Sequence, residues 1–331
     1  MALLEVNDLS IVLQTQRGPA LAVREASFTL DRGQTLGLVG ESGCGKTITA
    51  LSLLGLLPEQ ARVTGSIRFG GQELLGMNDA QLCRIRGDRI GMIFQEPMTA
   101  LNPVQSIGRQ VAEPLRLHRG LDAASARKQA IALLDRVGIP AAARRIDAYP
   151  HQFSGGQRQR ITIAMALACG PDLLIADEPT TALDVTIQQQ ILDLIRGLVA
   201  ERGMALILIS HDLGVIAQNV ARMLVMYGGS VVESGSTASV FGHMMHPYTR
   251  GLFAARPRLD ALKGARLATI PGSVPELVDL PAGCPFAGRC RFTIDDCFRV
   301  VPPPHEVDAG HVVRCIRLPA VAEAAAQEVC A

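Results

Sequence analysis

Short apolar runs, each closed by polar or glycine-rich residues, are the main pattern along the first two thirds of the chain. Such short runs predict buried strands. They cover residues 9–13, 35–39, 91–94, 173–176 and 204–209. Helical periodicity covers residues 49–57, 107–117, 123–137 and 159–168. We therefore predict an α/β chain.

The composition excludes several classes of protein. Of the 331 residues, 48% are hydrophobic and 19% are charged, which allows a sizeable core and excludes bulk disorder. The 32 basic and 31 acidic residues nearly cancel, so no basic field points to nucleic acid as a partner. No apolar run reaches the roughly 18 residues of a membrane span, and the N-terminus lacks the pattern of a secretory signal. In the non-secreted chain that we expect, eight cysteines suggest a metal site or buried thiols.

A glycine-rich loop directly after the strand at 35–39 has the spacing of a phosphate-binding P-loop, G-x-x-x-x-G-K-[ST]. The glycines let backbone N–H groups turn toward an anion, and the following helix adds the partial positive charge of its N-terminus. Lys46 can reach the β- and γ-phosphates of a nucleotide, and the Thr47 hydroxyl can bind Mg²⁺. The loop consists of Gly40, Glu41, Ser42, Gly43, Cys44, Gly45, Lys46 and Thr47.

Three further segments carry groups that can act on a phosphate. The strand at 173–176 ends in Asp177 and Glu178, one carboxylate to bind Mg²⁺ and one to polarise water. His211 follows the strand at 204–209, where its ring can donate a hydrogen bond to a γ-phosphate. A serine and two glycines precede the helix at 159–168 and suit anion binding. This last segment is Ser154, Gly155, Gly156 and Gln157.

These motifs, with Gln95 after the strand at 91–94 and Asp184 after the acidic pair, resemble the nucleotide-binding subunit of an ATP-binding-cassette (ABC) transporter. The resemblance covers residues 1 to about 235. It implies a P-loop ATPase of the RecA-like type with an antiparallel β subdomain and a helical subdomain at about 97–165. ATP and Mg²⁺ are the implied ligands.

The same resemblance implies a role for each motif. Glu178 would be the general base and Asp177 a Mg²⁺ ligand. Gln95 would contact Mg²⁺ or the attacking water and couple the site to the membrane subunits. His211 would be the switch histidine and Asp184 the D-loop aspartate. The segment from Ser154 to Gln157 would be the signature motif, which in this family binds ATP held by the opposite subunit.

One position departs from the family pattern. ABC subunits usually place an aromatic residue ahead of the P-loop, where it stacks on adenine, and this chain has Leu13 at the expected place. Stacking on a base contributes about 1–3 kcal/mol in nucleic-acid-binding proteins. We therefore expect adenine to be held more weakly or by another residue.

The remainder, residues 236–331, is named here the C-terminal extension. Residues 246–249, with the sequence His-Pro-Tyr-Thr, and residues 271–275 resemble the tail of dipeptide and oligopeptide importer ATPases, as do residues 97–103 and 149–156. The same tail occurs on subunits for nickel, glutathione and antimicrobial peptides. The resemblance implies an ATPase that powers import of di- or oligopeptides.

The implied partners are a second, related but distinct ATPase chain, two transmembrane permease subunits and an extracytoplasmic peptide-binding protein, with no nucleic acid. The implied location is peripheral, on the cytoplasmic face of the cell membrane. A non-transport ABC ATPase is the rival hypothesis, but such proteins usually contain two cassettes or a long coiled coil. A redox-regulatory module, in which ATP hydrolysis is secondary, is a second rival.

Four cysteines of the extension, with the spacing C-x5-C-x6-C-x17-C, form a set named here the cysteine quartet: Cys284, Cys290, Cys297 and Cys315. From the residues alone, three interpretations of the quartet stay open: an iron–sulfur cluster, a Zn²⁺ site, and free or disulfide-bonded thiols. The spacing lacks the C-x₂₋₄-C knuckle of structural zinc and matches no ferredoxin pattern. Peptide-importer ATPases with a similar quartet carry a [4Fe–4S] cluster, and the resemblance implies one here.

The other cysteines receive simpler interpretations. Cys330 lies outside the quartet spacing, and Cys83 and Cys169 are predicted to be small buried residues. Three arginines beside the quartet would either offset thiolate charge or be solvated. They are Arg289, Arg291 and Arg314.

Overall fold

The computed structural model describes residues 2–181, 183–255 and 269–329. Cys330, and Ala182 of the expected D-loop, lie outside the described residues. Within the described part, the strands are β1 (Leu4–Thr15), β2 (Gly18–Leu30), β3 (Thr35–Val39), β4 (Arg62–Phe69), β5 (Gln72–Glu73), β6 (Ile90–Ile93), β7 (Leu173–Asp177), β8 (Ala205–Ser210), β9 (Arg222–Tyr227), β10 (Ser230–Ser236), β11 (His305–Asp308) and β12 (His311–Val313).

The helices alternate with the strands over most of the chain. Within the described residues they are α1 (Lys46–Leu53), α2 (Asp79–Cys83), α3 (Pro97–Ala100), α4 (Ile107–Arg119), α5 (Ala123–Arg136), α6 (Ala142–Arg145), α7 (Gly155–Ala166), α8 (Val185–Arg202), α9 (Leu213–Asn219), α10 (Thr237–Gly242), α11 (Pro247–Ala254) and α12 (Leu318–Val329). None of them is both long and apolar enough to cross a membrane.

The strands form one mixed sheet, in the order β5-β4-β1-β2-β10-β9-β3-β8-β7-β6. From β9 to β6 neighbouring strands are parallel, whereas β1, β2, β4 and β5 pair antiparallel. The two parts meet through a single bridge between Ser230 and Arg24. Because parallel strands end at the same edge, the loops after β3, β6, β7 and β8 lie together.

The alternation of side chains along the strands supplies both faces of the core. Leu173 and Ile175 of β7 pack into the cluster shared with the antiparallel strands. Leu174 and Ala176 face the opposite way, into the cluster shared with the helices. Successive side chains of a strand point to opposite faces, so a continuous apolar run serves a sheet that is covered on both sides.

Helices α3 to α7 follow β6 and precede β7, and their buried side chains join the cluster on the helical face of the sheet. Pro114, expected to punctuate this region, lies inside α4 and does not end it. The chain leaves α4 only at Gly120, whose φ of 63° is the left-handed conformation that ends many helices.

Part of the C-terminal extension completes the sheet. Strand β12 pairs with β10, with Val313 opposite Glu233 and Val312 opposite Ser234, and β11 pairs with β12. The sequence pattern predicted no strand in the C-terminal extension. Both strands are short and all four residues of β11 are exposed, which leaves no apolar alternation to detect.

Candidate nucleotide and cysteine sites

The P-loop connects β3 to α1 at the edge where the parallel strands end. Helix α1 begins at Lys46, and its N-cap Gly45 has φ of 102° and no side-chain cap. A Cβ atom on Gly40 would lie 2.2 Å from the Met226 oxygen, and one on Gly45 would lie 2.6 Å from the Ala22 oxygen. Glycine is therefore required at both positions, as the motif predicts.

Lys46 is almost fully buried and organises the loop around itself. Its Nζ donates hydrogen bonds to the backbone oxygens of Gly40, at 2.8 Å, and Glu41, at 3.0 Å. The Sγ of Cys44 lies 3.7 Å from the same Nζ, and burial raises the pKa of this thiol. Cys44 is thus a packed small residue of the loop in this structure.

A cavity beside the P-loop, named here the nucleotide cavity, brings several predicted residues together. Gln95 and Glu178 form one part of its wall, and Leu13, Ala22, Ile48 and Leu277 form an apolar part. The P-loop members of the wall are Ser42, Gly43, Gly45, Lys46 and Thr47.

Glu178 is the meeting point of three segments. Its Oε2 accepts hydrogen bonds from Gln95 Nε2, at 3.3 Å, and from Thr181 Oγ1, at 3.0 Å. Its Oε1 lies 3.2 Å from His211 Nδ1. The loops after β6, β7 and β8 therefore place three polar side chains on one carboxylate, which faces the nucleotide cavity.

The Glu178 backbone is strained. Its φ of 44° lies in the left-handed region, and its N–H donates to the Ile209 oxygen at 3.0 Å. A non-glycine residue in this region costs about 1–2 kcal/mol. The neighbouring strand β8 thus holds the Glu178 backbone, and the Glu178 side chain lines the nucleotide cavity.

Asp177 has the environment of a cation ligand. It is the last residue of β7 and is 2% exposed, and its Oδ1 is buried without a hydrogen-bond partner. Burial raises the pKa of this carboxyl, while a hydrogen bond from Thr47 opposes the shift. A buried carboxylate oxygen without a partner beside a threonine hydroxyl fits the requirement of Mg²⁺ for oxygen ligands.

The signature segment lies apart from this cavity. Ser154 is the N-cap of α7, its hydroxyl accepts from the Gln157 N–H, and the Gln157 side chain accepts from the Ser154 N–H. Ser154 and Gly155 are exposed. A Cβ atom on Gly156 would lie 2.9 Å from Ile187, so α7 begins close against α8. Asp184 is exposed and caps α8 by accepting from the Ile187 N–H at 3.0 Å.

Two residues of the C-terminal extension contact the P-loop directly. The Tyr248 hydroxyl accepts a hydrogen bond from the Glu41 N–H at 2.7 Å. The Arg289 guanidinium donates to both carboxylate oxygens of Glu41, at 2.8 and 3.2 Å. Tyr248 also packs with Tyr227 at the end of β9 and with Phe286, at ring distances of 4.7 and 5.3 Å.

The expectation for Arg289 was therefore wrong. Its side chain neither offsets thiolate charge nor lies in solvent, because it is 6% exposed and paired with Glu41. The expectation for Cys83 was also wrong, since Cys83 is exposed on α2, whose buried residue is Leu82. Cys169 is buried as predicted.

The four cysteines of the quartet line one small cavity within the C-terminal extension, beside the start of α11. Burial raises the pKa of Cys284 to about 12 and that of Cys315 to about 11. Backbone N–H groups two residues further on donate to the sulfurs: Phe292 to Cys290 at 3.4 Å, and Arg317 to Cys315 at 3.3 Å. No described cysteine forms a disulfide.

The expected metal site is not borne out as a site for a single ion. Among the described residues, no group of three or more His, Cys, Asp or Glu side chains is arranged to hold a metal ion. A structural zinc ion would need its four ligands within about 2.3 Å of one point.

Sequence reasoning missed Thr181, Arg289 and Leu277 as members of the nucleotide site. Thr181 lies three residues after Glu178, in the loop that follows the predicted strand. A hydroxyl at that place could have been recognised as a hydrogen-bond donor to the carboxylate. Arg289 and Leu277 carried none, because they lie more than 200 residues from the P-loop and no local pattern connects them to it.

Comparison with known proteins also indicates a nucleotide-binding protein. Residues 23–181 match the family "ABC transporter", and residues 232–297 match "Oligopeptide/dipeptide transporter, C-terminal region". A putative peptide import ATP-binding protein of Brucella melitensis is 50% identical over 327 residues, which cover 95% of this chain and 97% of that protein. The oligopeptide transport ATP-binding protein OppD of Mycobacterium bovis is 47% identical over 99% of this chain and 54% of that protein.

Solved structures show the same fold. The dimeric cassette MJ0796 in a post-hydrolysis state, bound to ADP and Pi, has a TM-score of 0.63 at 26% identity, over 71% of this chain and 98% of that one. The cassette cbiO1 of Clostridium perfringens has a TM-score of 0.61 at 26% identity, over 73% of this chain and 92% of that one.

The chain belongs to the ABC transporter family of ATP-binding subunits. This class is defined by the matches together with the P-loop at the end of β3 and the carboxylate pair at the end of β7. Within that family it is the ATP-hydrolysing subunit of a peptide importer, an ATPase coupled to transport.

Proposed function

We propose that the nucleotide cavity binds MgATP and hydrolyses it at Glu178. The observation that carries this proposal is the convergence of Gln95 and His211 on the Glu178 carboxylate, beside the P-loop. Glu178 would take a proton from the attacking water, and Gln95 would orient that water. His211, which is largely exposed, would donate to the γ-phosphate.

Binding of the phosphates and the cation would involve the remaining residues of the site. Lys46 would exchange its contacts with the loop oxygens for the β- and γ-phosphates, and the backbone N–H groups from Gly40 to Thr47 would surround them. Thr47, Asp177 and Gln95 would hold Mg²⁺. The buried Asp177 oxygen that lacks a partner supports this assignment.

The signature residues, from Ser154 to Gln157, would act on ATP held by a second subunit. Their exposure at the start of α7, away from the nucleotide cavity, supports this, and the MJ0796 cassette is dimeric. Here we propose that the second subunit is a related but distinct chain. A test is Ser154→Ala in this chain, which should slow hydrolysis at the site of the partner chain only.

We also propose the domain boundaries and the assembly. Residues 1–235 would be the cassette, with the helical subdomain at about 97–165, and residues 236–331 the extension. Two permease subunits and an extracytoplasmic peptide-binding protein would complete the importer, with this chain on the cytoplasmic face. Phe94, next to Gln95, is 42% exposed, and Val104 is 80% exposed, so this surface offers apolar area to a membrane subunit.

Reconstitution of the assembly in vesicles tests the cargo. The complex would be supplied separately with a dipeptide, an oligopeptide, glutathione and nickel, and ATP-dependent uptake of each would be measured. We expect uptake of a di- or oligopeptide. Uptake of glutathione or nickel alone would assign this subunit to the other transporters that share the tail.

For the cysteine quartet we propose a [4Fe–4S] cluster rather than Zn²⁺. The four residues line one cavity, and N–H groups donate to sulfurs, as they do to the ligands of iron–sulfur clusters. The four cysteines would hold the cluster together, whereas the described residues lack the arrangement that a single ion would need. When bound, the cluster would supply the positive charge that these buried thiols need to ionise.

Metal analysis of anaerobically purified protein tests the cluster. We expect iron and sulfide in the wild type and in Cys83→Ser, whose thiol is exposed, and neither in Cys297→Ser. Zinc in place of iron would overturn the proposal. Loss of iron in Cys290→Ser with transport and assembly unchanged would show that the cluster has no structural role.

A further inference from the structure

The apolar part of the nucleotide cavity contains a residue of the C-terminal extension. Leu277 is the first residue of a 3₁₀ turn, Leu277–Asp279, and lines the cavity together with Leu13 of β1. Both side chains are half-buried. An ATPase cassette without the extension would therefore lack one wall of this cavity.

The polar and apolar parts of the cavity match the two parts of a nucleotide. The carboxylate of Glu178, Gln95 and the P-loop lysine supply the polar part, which suits the triphosphate. Leu13 and Leu277 supply apolar wall, which suits a base. None of the described residues that line the cavity is aromatic, so aliphatic side chains would take the place of a stacking ring.

Leu277 is held in place by a network of charges. Arg17, in the turn between β1 and β2, donates to Glu276 at 2.8 Å and to both carboxylate oxygens of Asp279 at 2.7 Å. These acidic residues flank Leu277 on either side. The hairpin that presents Leu13 is therefore tied directly to the turn that presents Leu277.

We propose that Leu277 and Leu13 form the base-binding subsite of this ATPase, with Arg17 as the residue that positions Leu277. The proposal rests on the assignment of the nucleotide cavity to MgATP. It gives the C-terminal extension a direct contact with the nucleotide. It also accounts for the missing aromatic residue, since two aliphatic walls replace one ring.

The full chain with Leu277→Ala tests the proposal by binding of two magnesium complexes: ATP and inorganic tripolyphosphate, which has no base. We expect the Kd for ATP to rise about 5- to 10-fold, as for loss of a few buried methyl groups, and the Kd for tripolyphosphate to change less than about 2-fold. Leu277→Phe should bind ATP more tightly than the wild type. Ile294→Ala, an exposed aliphatic truncation in the same extension, should bind both like the wild type.

The outcomes separate this proposal from the function itself. An unchanged Kd for ATP in Leu277→Ala, or an equal loss for both ligands, would overturn the base subsite. Failure of the wild type to bind MgATP would overturn the nucleotide site as well. Arg17→Ala should raise the Kd for ATP by a smaller factor than Leu277→Ala and leave that for tripolyphosphate unchanged.

Discussion

Arg289 and Glu41 lie 248 positions apart in the chain and are joined by two hydrogen bonds between guanidinium and carboxylate. Glu41 is the second residue of the P-loop, and Arg289 directly precedes Cys290 of the quartet. The Nε of Arg289 also donates to the Pro271 oxygen at 2.9 Å. The loop that carries the cysteines is thus tied to the loop that binds phosphate.

Removal of this pair should weaken both folding and nucleotide binding. For Arg289→Ala we expect the free energy of unfolding to fall by about 1–3 kcal/mol, because a bidentate, nearly buried ion pair is lost. The Kd for MgATP should rise, since Glu41 is no longer held. Denaturant unfolding and calorimetric binding measure the two effects. Arg299→Ala, an exposed arginine of the same extension, is the control, and equal losses in both variants would refute the assignment.

Hydrolysis should depend on Glu178 far more than binding does. Glu178→Gln should lower the rate of ATP hydrolysis by about 10²- to 10⁴-fold, the usual contribution of a general base. It should leave MgATP binding nearly unchanged, because Lys46, Thr47 and Asp177 remain. Thr181→Val, which removes one hydrogen bond to the Glu178 carboxylate, should have a much smaller effect. A wild-type rate in Glu178→Gln would show that another group is the base.

The backbone strain at Glu178 can be measured separately from its chemistry. Glu178→Gly and Glu178→Ala both lack the carboxylate, but only glycine accepts a φ of 44° without cost. The glycine variant should be more stable than the alanine variant by about 1 kcal/mol in denaturant unfolding. At Arg196, exposed within α8, the same two substitutions should show the opposite order. The same order at both sites would argue against strain at Glu178.

The stability of the contact between β10 and the C-terminal extension should depend on Glu233, which is fully buried. Its carboxylate accepts from the N–H groups of Met245 and His246, at 2.8 and 3.1 Å, and pairs with His311 Nε2 at 2.8 Å. Glu233→Gln places an NH₂ group against a donor, and we expect a loss of about 2–4 kcal/mol in unfolding free energy. Glu306→Gln, at an exposed position, should change stability by less than about 0.5 kcal/mol. Thermal unfolding measures the stability of both variants, and equal stabilities would contradict the role of Glu233.

The sequence was sufficient for those parts of the fold whose pattern is local. The apolar runs at 35–39, 91–94, 173–176 and 204–209 became strands of the parallel core, and the run at 9–13 became part of the antiparallel strand β1. The P-loop spacing predicted a turn where glycine at 40 and 45 is sterically required. The contacts of Glu178 followed from topology, because parallel strands bring their following loops to one edge.

The sequence was insufficient where function depends on distant contacts. Nothing near Arg289 indicates a partner in the P-loop, and adjacent cysteines suggested a different role for its charge. Strands β11 and β12 were missed because an exposed four-residue strand and a three-residue strand carry too little periodicity. Leu277 is an ordinary aliphatic residue until the fold places it in the wall of the same cavity as Leu13.

The contacts of Tyr248 and Arg289 with Glu41 have a consequence for the synthesis of the chain. A ribosome synthesises Glu41 of the P-loop more than 200 residues before Tyr248 and Arg289, the residues that contact it. During that interval the nascent cassette can form its parallel strands but lacks the side chains that secure Glu41. We expect a nascent chain to reach its full affinity for ATP only after Arg289 has emerged and paired with Glu41.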